Sequence, residues 1–190
     1  MRSKFEQLIE TTAQEHACTL IVGGLISNAE FDLAWKHPRI LSAIESVIGP
    51  DPLLLGVSSR GLRPGHGQQA LHTDWGGQGQ TGVWYLCHAI CALVDFTSDN
   101  GATRVIPTSH RKPWIMKAIH NPRHRHPSEI QLTGKAGTVF ILNVHCLHSA
   151  LHNTSDSPRL AIFSSFSRRD SPLLALSPPL KSRSGVAVSI

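Results

Sequence analysis

The chain is poor in charge. Only 16% of its 190 residues are Asp, Glu, Lys or Arg, against a usual ~25% in soluble domains. Aromatic residues are also scarce, at 6% with a single tyrosine. The charge-rich, apolar-poor composition of a disordered chain is missing, and 41% hydrophobic residues are enough for a packed core. No apolar run reaches the about 18 residues of a membrane-spanning helix, so no such helix is expected. The cysteines Cys18, Cys87, Cys91 and Cys146 form no Cys-x-x-Cys pair. Paired-thiol zinc and redox sites are thereby disfavoured, and buried reduced thiols are the expectation. The opening MRSKFEQLIE holds acids and no apolar stretch, so no secretory leader is expected. The closing VSI is no peroxisomal address of the SKL type. A cytoplasmic protein follows as the expectation. The net charge of +5 is scattered, which argues against a nucleic-acid partner.

Histidine, by contrast, is plentiful, with 12 in the chain. It is the commonest metal ligand and a carrier of protons. The length suits one domain. Helical spacing is read over residues 4–15, over 29–35 behind Asn28, and most clearly over 38–48. In the last of these Pro38 suits the first turn, and Ile40, Leu41, Ile44, Val47 and Ile48 recur on one face before Gly49. From residue 52 short apolar runs alternate with Gly, Pro, Asn and Asp clusters. LLLGVSS, QALHTDW, a long run over 82–96, ATRVIP, GTVFILNV and RLAIFSSFS read as strands. The fold class expected is mainly β with N-terminal helices, a jelly roll behind a helical layer. A single domain is expected over 1–169, with the helical layer at 1–50, the core at 52–169 and a loosely attached tail at 170–190.

His72 and Asp74 flank one residue in an expected strand, so they project from the same face. An imidazole and a carboxylate so placed can occupy two adjacent positions on a metal. Downstream come His145, His148 and His152. Strand alternation does not allow His145 and His148 to share a face. One imidazole from this group would complete a two-histidine, one-carboxylate facial triad, the geometry of non-heme Fe(II) oxygenases with open positions. Arg159 begins the last apolar run and could pair with a carboxylate. His88, between Cys87 and Cys91, lacks the paired spacing of a zinc site. The stretch from about 120 to 127, with His120, Arg123, His124, Arg125 and His126, reads as a solvated basic loop, and Trp75, Trp84 and Trp114 as packing residues.

The order HTDW, then NGATRVIPTSH over 100–110, then HSALHNTSDSPR over 148–159 resembles the phytanoyl-CoA dioxygenase family of Fe(II)/2-oxoglutarate oxygenases. The likeness runs from about Pro38 to Arg168. It implies the double-stranded β-helix, a cupin-like jelly roll. It also implies iron ligation by His72, Asp74 and His148. His148 is preferred over its neighbours because it stands at the family's spacing from Asn153 and Arg159. Arg159 would bind the distal carboxylate of 2-oxoglutarate, assisted by Thr103 and Gln69. Two positions depart from the family pattern: Thr108 replaces a frequent glycine, and Ala150 replaces a frequent hydroxyl residue. The activity implied is oxidation of a C–H bond in a small or medium organic substrate, consuming O2 and releasing succinate and CO2. The intact carboxylate of Asp74 favours hydroxylation or a related oxidation over halogenation. Two alternatives stand beside it: a cupin-like metalloenzyme that uses no 2-oxoglutarate, and a non-catalytic jelly-roll binding protein. Oligomeric state is not legible.

Overall fold

The computed structural model describes residues 1–16, 19–75, 82–111 and 121–175. Helix α1 (Arg2–Thr12) leads into a hairpin of β1 (Gln14–His16) and β2 (Thr19–Ile21). Two short 3-10 turns, then α2 (Leu33–Lys36) and α3 (Pro38–Ile48), complete the helical layer. The strands that follow are β3 (Leu53–Leu62), β4 (Leu86–Ala92), β5 (Thr103–Val105), β6 (Ile130–Gln131), β7 (Val139–Asn143), β8 (His148–Ala150) and β9 (Arg159–Ser167). They form an antiparallel six-stranded sheet, β1-β2-β3-β9-β4-β7, and a three-stranded sheet, β6-β5-β8. This is the jelly-roll arrangement.

Strand alternation sorts β4 into two faces. Cys87, Ala89 and Cys91 pack with Phe5, Trp35, Ile40, Ile44 and Ile48 of the helical layer. Leu86, Ile90 and Ala92 pack with Phe96, Val105, Leu142 and Ala161 between the sheets. His88 has the parity of the second set, so its ring is directed to the interior between the sheets. On β9 the same rule sends Leu160, Ile162 and Phe166 to the helices and Arg159, Ala161 and Phe163 inward.

Helix α3 holds the helical layer in place. Its first-turn proline and the His37 Nδ1, which accepts the Arg39 N–H at 3.2 Å, start it, and Gly49 at φ 95° ends it. Ile44 is fully buried, and Ile44→Ala would cost about 2–5 kcal/mol.

Several expectations need correction. The first helix stops at Thr12 rather than running to 15, because residues 14–16 pair with β2 at the edge of the larger sheet. The expected helix over 29–35 is broken into a 3-10 turn and α2, and Asn28 makes no side-chain cap. Burial of Phe31, Ala34 and Trp35 decides that geometry over helix propensity. The run 82–96 is strand only over Leu86–Ala92. QALHTDW is no regular strand, and its one bridge pairs His72 with His148. Of the expected tail, Ser171 is buried and Pro172–Ala175 forms a 3-10 turn; 176–190, like Trp114, Cys18 and His120, lies outside the described residues. Among the described residues no helix is long and apolar enough to cross a membrane.

Candidate active site

The bridge between His72 and His148 is a pair of backbone hydrogen bonds, 3.0 and 2.9 Å long. It sets the two imidazoles side by side, with ring centroids 4.8 Å apart. Asp74 is held alongside by its N–H, which donates to the Val144 carbonyl at 3.2 Å. His72 Nε2 stands 3.6 Å from Asp74 Oδ1, and His148 Nε2 stands 3.5 Å from Oδ2. The three ligand atoms lie within 4.8 Å of one another.

The tautomers follow from the partners. His72 Nδ1 lies 2.8 Å from the Ala70 carbonyl, and His148 Nδ1 lies 2.9 Å from the Cys146 carbonyl. A carbonyl oxygen only accepts, so both Nδ1 atoms carry the proton and both Nε2 atoms present a lone pair. Two lone pairs and a carboxylate pointed at one another repel unless a cation sits between them. The donor set of two imidazoles and one carboxylate fits ferrous iron, and each imidazole is oriented through its far nitrogen as a ligand should be. Burial alone would raise the Asp74 carboxyl, but the neighbouring imidazoles of His148 and His88 outweigh it and hold the group well below the usual carboxylate range.

A cavity of about 170 Å³ opens beside this cluster, lined among others by Gln69, His88, Thr103, Arg159 and Phe163. Arg159 is 4% exposed, yet its Nε and Nη1 have no hydrogen-bond partner. Its guanidinium rests on the Phe96 ring at 4.9 Å. Burial, and then the nearby Arg60 cation, push it down to about 10. Arg104 is the contrast. It is fully buried, but donates to Ser149 Oγ, to the carbonyls of Gln69, Pro122 and His124, and to Glu129 Oε2, over 2.6–3.1 Å. One buried arginine is a structural hub. The other faces the cavity with unfilled donors, as a carboxylate-binding group would. Thr103 is buried at the cavity wall. Gln69 lines it too, but its Oε1 accepts the Ala150 N–H at 3.1 Å.

The two longer sequence segments hold this arrangement together. Asn100 Nδ2 donates to the Asp95 carbonyl at 2.7 Å while its Oδ1 accepts the Thr97 N–H at 3.0 Å. Gly101 sits at φ 76°, and a Cβ there would overlap Leu62 and crowd the Leu151 carbonyl. Only glycine allows that turn to pass so close to the strand ends leading to His148 and Arg159. Buried Asn153 donates to the carbonyls of Leu62 and Ser157, both at 2.9 Å. Ser109 Oγ accepts the Leu147 N–H at 2.8 Å, next to the distal histidine.

The remaining histidines separate cleanly. His145 Nε2 accepts the Tyr85 N–H at 3.0 Å, and the ring lies between Trp75 and Trp84. Burial, with His110 adding, pushes it down to about 4. His152 is exposed. His110 packs edge-on to Trp84 with Nδ1 2.8 Å from Cys146 Sγ. The basic loop is tied to the fold by the Arg125–Glu129 ion pair and by the carbonyls of Pro122 and His124 on Arg104. Sequence reasoning passed over His88, whose Nε2 lies 3.0 Å from Asp74 Oδ2. Its parity on an interior strand was the one available signal.

Comparison with known proteins agrees with this geometry. The sequence profile described as phytanoyl-CoA dioxygenase (PhyH) matches residues 6–161. The multifunctional dioxygenase ausE of Aspergillus calidoustus is 30% identical over 124 residues, covering 60% of this chain and 42% of that protein. The uncharacterized protein Rv1501 of Mycobacterium tuberculosis is 30% identical over 139 residues, covering 69% of this chain and 49% of that one. The chain thus spans less than half the length of these curated relatives. Among solved structures, the α-ketoglutarate-dependent carbocyclase SnoK from nogalamycin biosynthesis superposes with a TM-score of 0.69 at 17% identity, over 96% of this chain and 83% of that one. HygX from Streptomyces hygroscopicus gives 0.67 at 17% identity, over 89% and 77%. These structural likenesses carry the double-stranded β-helix fold. Joined to a profile match that takes in His72, Asp74, Thr103, His148 and Arg159, they make this chain a member of the phytanoyl-CoA dioxygenase (PhyH) family.

Proposed function

We propose that the protein is an Fe(II)- and 2-oxoglutarate-dependent dioxygenase acting on a small or medium organic molecule. The observation that carries the reading is the meeting, in one cavity, of the His72–Asp74–His148 cluster with the buried, unpartnered donors of Arg159. His72, Asp74 and His148 would hold iron on one face of its coordination sphere. Arg159, with Thr103 and Gln69 on the adjoining wall, would receive the distal carboxylate of 2-oxoglutarate and fix its orientation. When bound, ferrous iron with 2-oxoglutarate and dioxygen supplies oxidation of a substrate C–H, with succinate and CO2 released. The fold contributes position, an apolar wall of Leu62 and Phe163, and the Phe96 ring against the Arg159 guanidinium.

A cupin-like enzyme without a cosubstrate would give Arg159 no partner, and a non-catalytic binding protein would give the oriented lone pairs of His72 and His148 no use. Residues 1–169 act as one unit in this reading. The free, buried thiols of Cys87, Cys91 and Cys146 suit a reducing cytoplasm. The test is an anaerobic titration with Fe(II) and then 2-oxoglutarate, followed by a succinate-release screen across a metabolite panel. A metal-to-ligand absorption band that saturates with 2-oxoglutarate is expected. Iron binding without that band would favour the cupin-like alternative, and no iron binding would overturn the reading.

A further inference from the structure

Three imidazoles surround Asp74, and they are not equivalent. His72 and His148 each give their Nδ1 proton to a carbonyl and face Asp74 with a lone pair. His88 faces it the other way. Its Nε2 is 3.0 Å from Oδ2, a true hydrogen-bond distance, while the other two stand 3.5 Å or more from the carboxylate. An ionised carboxylate only accepts, so His88 Nε2 carries a proton. The Nδ1 of His88 is buried without a partner.

His88 is mounted on an interior strand. It sits in the middle of β4, paired with Leu142 of β7 on one side and Ser165 of β9 on the other. Its side chain is 12% exposed, and its ring lies 6.2 Å from Phe163 in an edge arrangement. A protonated nitrogen on a paired strand, aimed at one oxygen of the carboxylate, determines which oxygen is left for a metal.

Resting on the dioxygenase reading above, we infer that His88 is a positioning residue that reserves Asp74 Oδ2 by hydrogen bonding and leaves Oδ1 for iron. Asp74 then binds through a single oxygen. The consequence lies in the count of open positions. A facial triad leaves three of six positions for small molecules. A carboxylate binding through both oxygens would take one of them. His88 thereby protects a place needed for cosubstrate or dioxygen without touching the metal itself.

The test uses Mn(II) as the probe, with the full chain and the variants His88→Leu, His88→Gln and His88→Asn. Gln places an N–H donor near the Nε2 position; Asn is too short. Affinity is read from the free Mn(II) resonance, and the number of exchangeable waters on bound Mn(II) from water-proton relaxation. Loss of an outer partner typically weakens a site about 10–100-fold. His88→Leu and His88→Asn are expected to fall in that range and to lose one exchangeable water, with His88→Gln close to wild type in both. If His88→Leu does not fold, the Gln and Asn pair decides. Wild-type chain that binds no Mn(II) would overturn the metal site, and this inference with it. Wild-type chain that binds Mn(II) while all three variants match it in affinity and water count overturns the role of His88 alone.

Discussion

Arg159→Met should make the ligand-free protein more stable and the cosubstrate-binding protein much weaker, two effects of opposite sign from one substitution. Among the described residues the guanidinium, 4% exposed, has two unpartnered nitrogens and keeps the company of the Phe96 ring at 4.9 Å and a second cation, Arg60. Buried polar donors left unmade cost about 1–3 kcal/mol. Methionine fills similar length without donors or charge, so about that much stability should be recovered. A domain this size gains roughly 2–4 °C per kcal/mol, so a rise of roughly 2–12 °C is expected in metal-free, cosubstrate-free buffer. Against this, a charged hydrogen bond is worth about 1.5–3 kcal/mol. A two-bond fork at the low end gives about 3 kcal/mol, or roughly a hundredfold in affinity. Saturating 2-oxoglutarate at about 100 times its Kd adds ~2.7 kcal/mol to a protein that binds it. The wild-type transition should therefore rise on adding Fe(II) and 2-oxoglutarate under argon, and the variant's should rise with Fe(II) alone. Arg159→Lys should recover affinity only in part, since a point charge cannot reproduce the planar fork. The checks are scanning calorimetry and the anaerobic absorption titration. A destabilised Arg159→Met protein with an unchanged 2-oxoglutarate Kd would refute the reasoning on both counts.

The other buried arginine predicts the reverse. Arg104→Met strips the donors from five buried partner atoms and leaves Glu129 with Arg125, on its exposed side, as its remaining cation, which should cost about 3–5 kcal/mol and lower the melting temperature by roughly 6–20 °C. Among the downstream histidines, His148→Ala should lose metal binding in the Mn(II) titration. His152→Ala should be neutral, and His145→Ala should keep the metal while losing stability with the Tyr85 hydrogen bond. His145 also predicts an acid sensitivity. Its folded value of about 4 lies below the ordinary 6.5, so the unfolded chain takes up the proton first. The stability it contributes is full above about pH 6.5, is lost progressively as pH falls from there to about 4, and changes no further below. Melting temperatures of His145→Gln should therefore depend less on pH in that window than those of wild type.

How much of this was legible in the sequence depends on the range of the interactions. Pro38–Ile48 is read to the residue because its proline, its apolar stripe and its closing glycine are all local. The strands from 53 onward are found, since alternation and turn residues are local too. What failed was set by distant partners. The first helix ends where a sheet edge claims residues 14–16, and nothing within that segment announces it. QALHTDW has the alternation of a strand, but its neighbour offers only one bridge, so His72 and Asp74 come from an extended segment instead.

The site shows the same limit in sharper form. Motif order pointed to His72, Asp74 and His148, and the fold brings them together. Arg104 and Arg159 are alike as letters, each at or next to the start of a strand. Their difference is a matter of partners: Ser149, Glu129 and three carbonyls converge on one, and two nitrogens of the other meet nothing. Burial makes that difference energetic, because an unfilled donor in a dry wall is expensive to keep. A fold that keeps one beside a cluster of metal-ligating atoms is carrying strain that a ligand would relieve. His88 follows by the same argument. As a letter it sits between two cysteines and suggests a poor zinc site. As a group on an interior strand, 3.0 Å from Asp74 Oδ2, it is the only one of three imidazoles that brings a proton rather than a lone pair to the carboxylate.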